Sequence, residues 1–277
     1  MIRCKSVLSV LSVVSLVSCP QLIAGANHYN ASVSDLKGKT VFITGAAQRL
    51  GKAIALAMAQ AGANIAFTFH LSAEKARQTL KQIQDTGAQG LSIECDLRQD
   101  KSVQQAVAQA QRHFGRIHLL INNAGVFQTA KLEEISVEQW DEAFAVNVRA
   151  PFLASKYCIP SLRQNHGRII NLGSLGGEKP WTTHAHYCSS KAALHMLTQV
   201  MAKALAPEIA VNCVAPGMID AGGADRYPEL LQRVAEQTPM KKAGTPQDVV
   251  SAVMYFATAP HFITGQVLTV DGGRGLR

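Results

Sequence analysis

Tyr187 and Lys191 stand four residues apart in the stretch "HYCSSKAALHML", a spacing that puts both on one face of a helix. An ammonium beside a phenol favours the phenolate and moves the phenol towards a range useful for proton transfer. Ser174 lies thirteen residues before Tyr187, at the end of an apolar run, where its hydroxyl can bond the same substrate oxygen. Asn147, in "FAVNVRAP", falls inside a long helical pattern, where an amide is unfavourable unless it has a task. Taken alone, a Tyr-x-x-x-Lys pair is most often helix surface. The four residues together describe a place where a proton is moved to or from a substrate oxygen.

A second constellation lies near the start of the ordered pattern. "TGAAQRLG", residues 44–51, follows the apolar run "TVFI" and leads into "KAIALAMAQAGA". Gly45 permits a tight strand-to-helix turn, and Gly51 lets the helix start close to the strand. Free N–H groups and the helix dipole at such a start favour a pyrophosphate. Arg49 stands just before Leu50, where such loops often carry a third glycine. An acid near the end of the second strand would hold an unphosphorylated ribose 2′-OH. Here the turn offers His70 and Ser72, and the first acid is Glu74, already in the next helix. A pocket with a cation and donors but no carboxylate welcomes a 2′-phosphate, so Arg49 points to NADP(H). Beyond the third strand, Asp96, followed by Leu97, is placed to meet an adenine amine. Asn123, Ala124 and Gly125, in "NNAG", end the fourth strand and can pack under the adenosine.

Strands must position these groups. The apolar runs 40–44, 64–69, 91–95, 117–122, 167–172, 209–215 and 266–270 alternate with helical patterns over roughly 50–61, 72–86, 100–115, 137–164, 187–205 and 246–258. Such alternation predicts an α/β fold, a doubly wound parallel sheet with helices on both faces. Ligands then bind beyond the carboxyl ends of the strands, where strand order reverses. The span 217–245 has weak periodicity and is expected to be a mobile loop over the site.

A chain of 277 residues with 47% hydrophobic content buries a full core as one domain, here 35–277. The net charge of +8 comes without a Lys/Arg cluster interleaved with aromatics, which argues against a nucleic-acid partner. The six cysteines form no CxxC pair and no metal-ligand spacing, so they read as free thiols and no metal is expected. Residues 1–34 differ from the rest: they contain no acid, and Arg3 and Lys5 precede the apolar run 7–17. Ala24 and Ala26 follow in A-x-A spacing, the shape of a secretory or targeting signal with a mature start near Asn27. The run is too short for a membrane span, and no stable membrane association is expected.

TG-x5-G, Asp96-Leu97, N-N-A-G, Asn147, Ser174, Tyr187-x-x-x-Lys191 and "VAPG" (214–217), in this order and spacing, resemble the short-chain dehydrogenase/reductase family over about residues 37–277. The resemblance implies a Rossmann-type, seven-stranded, single-domain enzyme. It makes Tyr187 the general acid/base. Lys191 lowers its pKa and holds the nicotinamide ribose, Ser174 orients the substrate carbonyl, and Asn147 holds a water. Pro216, Gly217 and Ile219 then lie beside the nicotinamide, and Trp181, His184 and His186 line the substrate mouth. The resemblance also implies a homodimer or homotetramer built through the long helices. Within the family, "TGAAQRLG" with "FHLSAE" looks most like the pteridine-reductase-like branch, which uses NADPH.

Three departures qualify this. Leu71 stands where that branch often has a basic residue, Ser174 where pteridine reductases tend to have aspartate, and Ala221 where many members have threonine. Serine favours a small-molecule carbonyl substrate, a ketone or a 3-oxoacyl thioester. The alternatives are a dihydropterin reductase and a non-catalytic NADP(H)-binding sensor or scaffold. An NADPH-fed enzyme belongs in the cytoplasm, an expectation that the signal-like leader opposes.

Overall fold

The first apolar run, Thr40–Ile43, is buried at all four positions, as a strand covered on both faces must be. It is strand β1 of a computed structural model that describes residues 36–221 and 228–276. The other strands are β2 (Asn64–Phe69), β3 (Gly90–Glu94), β4 (Leu119–Asn122), β5 (Arg168–Leu172), β6 (Ala210–Pro216) and β7 (Val267–Val270). All pair in parallel, in the order β3-β2-β1-β4-β5-β6-β7. Strand order reverses between β1 and β4, so their carboxyl ends frame a crevice. The helices are α1 (Arg49–Gln60), α2 (Ala73–Asp85), α3 (Asp100–Phe114), α4 (Val137–Phe144), α5 (Ala150–Gln164), α6 (Ala185–Leu205), α7 (Pro228–Gln237) and α8 (Pro246–Thr258).

Alternate residues of β1 enter two cores. Val41 and Ile43 pack with Ile54 and Met58 of α1 and with Val249 and Val253 of α8. Phe42 packs on the other face with Val103 and Val107 of α3, Leu153 of α5 and Met201 of α6. Each such aliphatic side chain removed from water contributes about 1.5–3 kcal/mol, which holds helices to both faces. Among the described residues no helix is long and apolar enough to cross a membrane. Cys95, Cys158, Cys188 and Cys213 are free thiols.

Two stretches differ from expectation. The helical pattern read across 137–164 is interrupted: residues 145–149 form a π-helical segment between α4 and α5. The cause is local. Pro151 has no N–H to return to the carbonyl of Asn147, and Ala150 N–H bonds the carbonyl of Ala145, five residues back. Residues 228–237, within the span read as a mobile loop, form α7, with Val234 buried and Thr238 Oγ1 donating to its carbonyl at 2.7 Å. Residues 222–227 and the signal-like leader lie outside the described residues.

Candidate active site

The turn after β1 is held from several sides. Gly45 has φ +67, and a Cβ there would come 2.8 Å from Ala124 Cβ. Thr68 of β2 accepts Gly45 N–H at its hydroxyl (3.0 Å) and Ala46 N–H at its carbonyl (3.0 Å). Thr44 Oγ1 accepts the N–H groups of Asn123 (3.0 Å) and Ala124 (3.1 Å). Asn123 Nδ2 donates back to the carbonyls of Thr44 (3.0 Å) and Gly45 (2.9 Å). Asn123 lines the cavity and is also a brace that fixes the glycine turn from β4. A Cβ on Gly51 would strike that brace at 2.5 Å. No side chain caps the N terminus of α1, so its first N–H groups remain available to an anion.

Arg49 takes φ +52, the left-handed conformation that a glycine would adopt without cost. Its side chain is exposed on the rim of the turn. A second cation stands beside it: Lys75 Nζ donates to Gln48 Oε1 at 2.6 Å. Sequence reading missed Lys75, although it lies one helical turn beyond Leu71, where a basic residue was sought. Leu71 itself is 87% exposed. Glu74 is ion-paired with Arg77 and accepts from Gln78 Nε2.

His70, Ser72, Asp96 and Leu97 do not line the cavity beyond the glycine turn. His70 is exposed, and Ser72 begins α2 without a capping bond. Both oxygens of Asp96 are taken by Arg98, at 2.8 and 3.0 Å, and that hydrogen bond holds the carboxyl below its ordinary range. Leu97 packs against the second core.

The cavity has a volume of about 890 Å3 and runs from Gly45, Arg49, Leu50 and Gly51 past Ala124 and Gly125 to Ser174, Tyr187 and Lys191. Pro216, Gly217, Ile219 and Ala221 close its far wall. Ser174 follows β5, and its Oγ accepts Gly176 N–H at 3.1 Å and is hydrogen-bonded to the Tyr187 hydroxyl. Lys191 is 4% exposed, and its Nζ donates to the carbonyl of Leu172 at 2.7 Å. Burial pulls it down to about 8. Tyr187 moves the other way: burial raises the phenol and the Ser174 hydrogen bond only opposes it. The expected lowering of Tyr187 by Lys191 is not what this geometry produces, because Nζ lies 5.8 Å from the ring centroid and is committed to Leu172.

Asn147 sits buried behind this row, in the π-helical segment. Its Oδ1 accepts Val126 N–H at 2.9 Å, and its Nδ2 donates to Val126 O (3.1 Å) and Ser190 Oγ (3.0 Å). A Cβ on Gly125 would meet Asn147 Oδ1 at 3.2 Å and Lys191 Nζ at 3.6 Å, so Gly125 leaves these groups their space.

Aromatic rings form the outer wall. Phe127, 56% exposed and missed by sequence reading, stacks on His184 at 4.6 Å and meets Tyr187 edge-on at 4.8 Å. Trp181 lies 6.0 Å from Tyr187 with nearly parallel rings. Thr183 and Thr129 hydroxyls engage the two His184 nitrogens at 2.9 and 3.0 Å, and burial lowers its pKa, so this ring is a neutral panel. His186 is not at the mouth: it is 1% exposed and does not line the cavity. His186 stands one residue before the wall residue Tyr187 on α6, and the helix turns about 100° per residue, which carries His186 inward.

A family model described as "Enoyl-(Acyl carrier protein) reductase" matches residues 45–274. The chain is 30% identical to glucose 1-dehydrogenase 2 of Bacillus subtilis, over 87% of this chain and 96% of that one. It is 32% identical to 3beta-hydroxysteroid dehydrogenase 1 of Eggerthella lenta, over 87% and 95%. Among solved structures, a short-chain dehydrogenase/reductase from Serratia marcescens superposes with TM-score 0.82 at 36% identity, covering 87% of this chain and 99% of that one. A chain matched over this span, with the same sheet, belongs to the short-chain dehydrogenase/reductase family of nicotinamide-dependent oxidoreductases.

Proposed function

We propose that this chain is an NADP(H)-dependent carbonyl reductase whose substrate is a ketone carrying an apolar ring. The observation that carries the reading is one continuous cavity. It has a glycine turn at one end, lined by Arg49 and by Gln48 to which Lys75 is bonded, and the Ser174–Tyr187–Lys191 row at the other. The cofactor fits this chain at the cradle that Cβ atoms on Gly45 and Gly51 would fill. Bound there, NADPH supplies the hydride. Arg49, with Lys75 nearby on Gln48, would hold a 2′-phosphate, and no free carboxylate stands on the second strand's turn to repel it.

Tyr187 and Ser174 hold the substrate oxygen between two hydroxyls. The raised phenol keeps its proton near neutral pH, as an acid that must donate to a carbonyl oxygen requires. Lys191, charged below about 8 and tied to the Leu172 carbonyl, would hold the nicotinamide ribose of the cofactor. Asn147 fixes the backbone at Val126 and the hydroxyl of Ser190, whose O–H donates to the Tyr187 carbonyl at 2.7 Å. The wall of Phe127, Trp181 and neutral His184 favours an apolar ring over a sugar or a charged thioester carrier.

The test is NADPH oxidation by the full chain against cyclic and acyclic ketones, 3-oxoacyl thioesters, quinones, dihydropterins and sugars, with NADH in parallel. Ketone turnover with NADPH well above NADH supports the reading. Turnover of dihydropterin alone moves the chain to the pteridine-reductase-like branch that the 44–51 loop resembles. Wild type and Tyr187→Phe equally inactive on every compound, with NADPH still bound, makes it a binding module. We also propose a homodimer or homotetramer through α5 and α6, where Phe152, Met196 and Val200 leave apolar surface exposed; light scattering tests it. The proposed compartment is the cytoplasm, and N-terminal sequencing of the mature protein checks it.

A further inference from the structure

His195 belongs to none of the roles above, yet it touches the backbone of the site. It lies one turn after Lys191 on α6 and is 7% exposed. Its Nε2 accepts the backbone N–H of Ser174 at 3.3 Å. An accepting ring nitrogen carries no proton, so the neutral imidazole holds its hydrogen on Nδ1. That nitrogen faces Glu178 Oε1 at 4.0 Å. The Glu178 carboxylate in turn accepts the Thr269 hydroxyl from β7 at 3.2 Å.

The ring has a reserved seat. A Cβ on Gly173 would come 2.3 Å from His195 Nε2, and one on Gly177 would come 2.7 Å from Cε1. Two glycines therefore flank Ser174 at the positions where side chains would evict the imidazole. Lys191 meanwhile holds the carbonyl of Leu172. Residues one turn apart on α6 thus tie the chain at 172 and 174, on either side of Gly173.

We propose that His195 is a positioning residue: its neutral ring, accepting at Nε2 and facing Glu178 at Nδ1, fixes the Ser174 backbone and so aims the hydroxyl that meets Tyr187. This rests on the reductase reading of the site. A protonated ring would set N–H against N–H, and the Ser174 amide would lose its acceptor. Burial keeps the ring below the ordinary histidine range; Glu178 opposes that and Lys191 adds to it. The remaining titratable neighbour is the Cys213 thiol on β6, which a Gly173 Cβ would touch and which burial pushes up to about 12. Among the described residues the charges acting on His195 are one anion and one cation, and burial outweighs both.

Two measurements test this. Long-range proton–nitrogen NMR of histidine-labelled full chain, assigned with His195→Gln, is expected to show the Nδ1-protonated tautomer at neutral pH. In the assay, His195→Leu removes the acceptor and is expected to lower kcat about tenfold to a hundredfold, with the KM for NADPH little changed. His195→Gln, whose amide oxygen can accept, is expected to recover most of kcat and to lose the acid limb of the wild-type pH profile. An Nε2-protonated ring overturns the proposal, as do Leu and Gln variants that behave alike. Should wild type turn over nothing, the reductase reading fails while the tautomer still judges His195. Should the Leu variant not fold, the tautomer and the Gln profile decide.

Discussion

The two ends of the cavity are built on different principles. At the cofactor end, Thr44, Thr68 and Asn123 bind backbone groups of the 44–46 turn or its brace, and Cβ atoms at Gly45 or Gly51 would overlap atoms under 3 Å away. The shape there is written in main-chain geometry, which side-chain changes elsewhere barely reach. At the outer wall, Phe127 stacks on His184 while Trp181 meets both rings edge-on, and Phe127 is largely exposed. These ring contacts use no main-chain groups of the sheet, so this wall can be altered without disturbing it. A turn fixed by main-chain bonds joined to a side-chain wall lets the wall vary while the turn stays the same.

Breaking the row between the two ends should cost most. Tyr187→Phe is expected to lower kcat by about 10²–10⁴-fold while NADPH still binds, read by steady-state kinetics beside fluorescence titration. Next is the cradle. Gly45→Ala meets both a left-handed φ and Ala124, at a cost of about 1–3 kcal/mol in stability, with NADPH affinity weakened about tenfold. Thermal melts with and without NADPH measure both, and an affinity loss without a lower Tm would contradict the steric account.

Lys191 tests the electrostatics of the row. Burial lowers it from 10.5 to about 8, so between these values the unfolded chain holds a proton that the folded chain has released. Stability then rises with pH across that window. Relative to Lys191→Met, wild type is expected to gain up to about 3 kcal/mol from pH 8 to 10.5 in urea melts. A flat difference would mean that the ammonium stays charged when buried. The smallest effect is expected at the wall: Phe127→Ala should raise the KM for a cyclic ketone about threefold to tenfold and leave kcat and Tm nearly unchanged. A fall in Tm as large as that of Gly45→Ala would erase the contrast between the two ends.

Much of this was legible in the chain. Seven strand runs and the Asn147, Ser174, Tyr187 and Lys191 set lie where period, spacing and resemblance placed them, because strand burial and helix pitch are local properties. The α7 helix was missed, since its start beside Gly222, Gly223 and Pro228 hides a short amphipathic pattern. Lys75 was missed because its meeting with Gln48 spans 27 residues and depends on how α2 lies against the glycine turn. His70, Ser72, Asp96 and Leu97 were read into the site from their places at strand ends, and the structure shows Asp96 bonded to Arg98 and Leu97 packed on the core, partners that position along the chain does not reveal. His186 shows the same limit: sequence put it beside His184, and helix rotation put it in the interior.

The sequence by itself determined the sheet, the glycine turn after β1 and the Asn147, Ser174, Tyr187 and Lys191 set, because these follow from period and from residue spacing at short range. Only the tertiary structure decided the charge states and the partners within that site. Burial raises Tyr187 and lowers Lys191, Asn123 becomes a brace, and His195 reaches Ser174 through a gap left by two glycines. Desolvation and hydrogen-bond partners depend on what the rest of the chain packs around a group, and no local pattern encodes that.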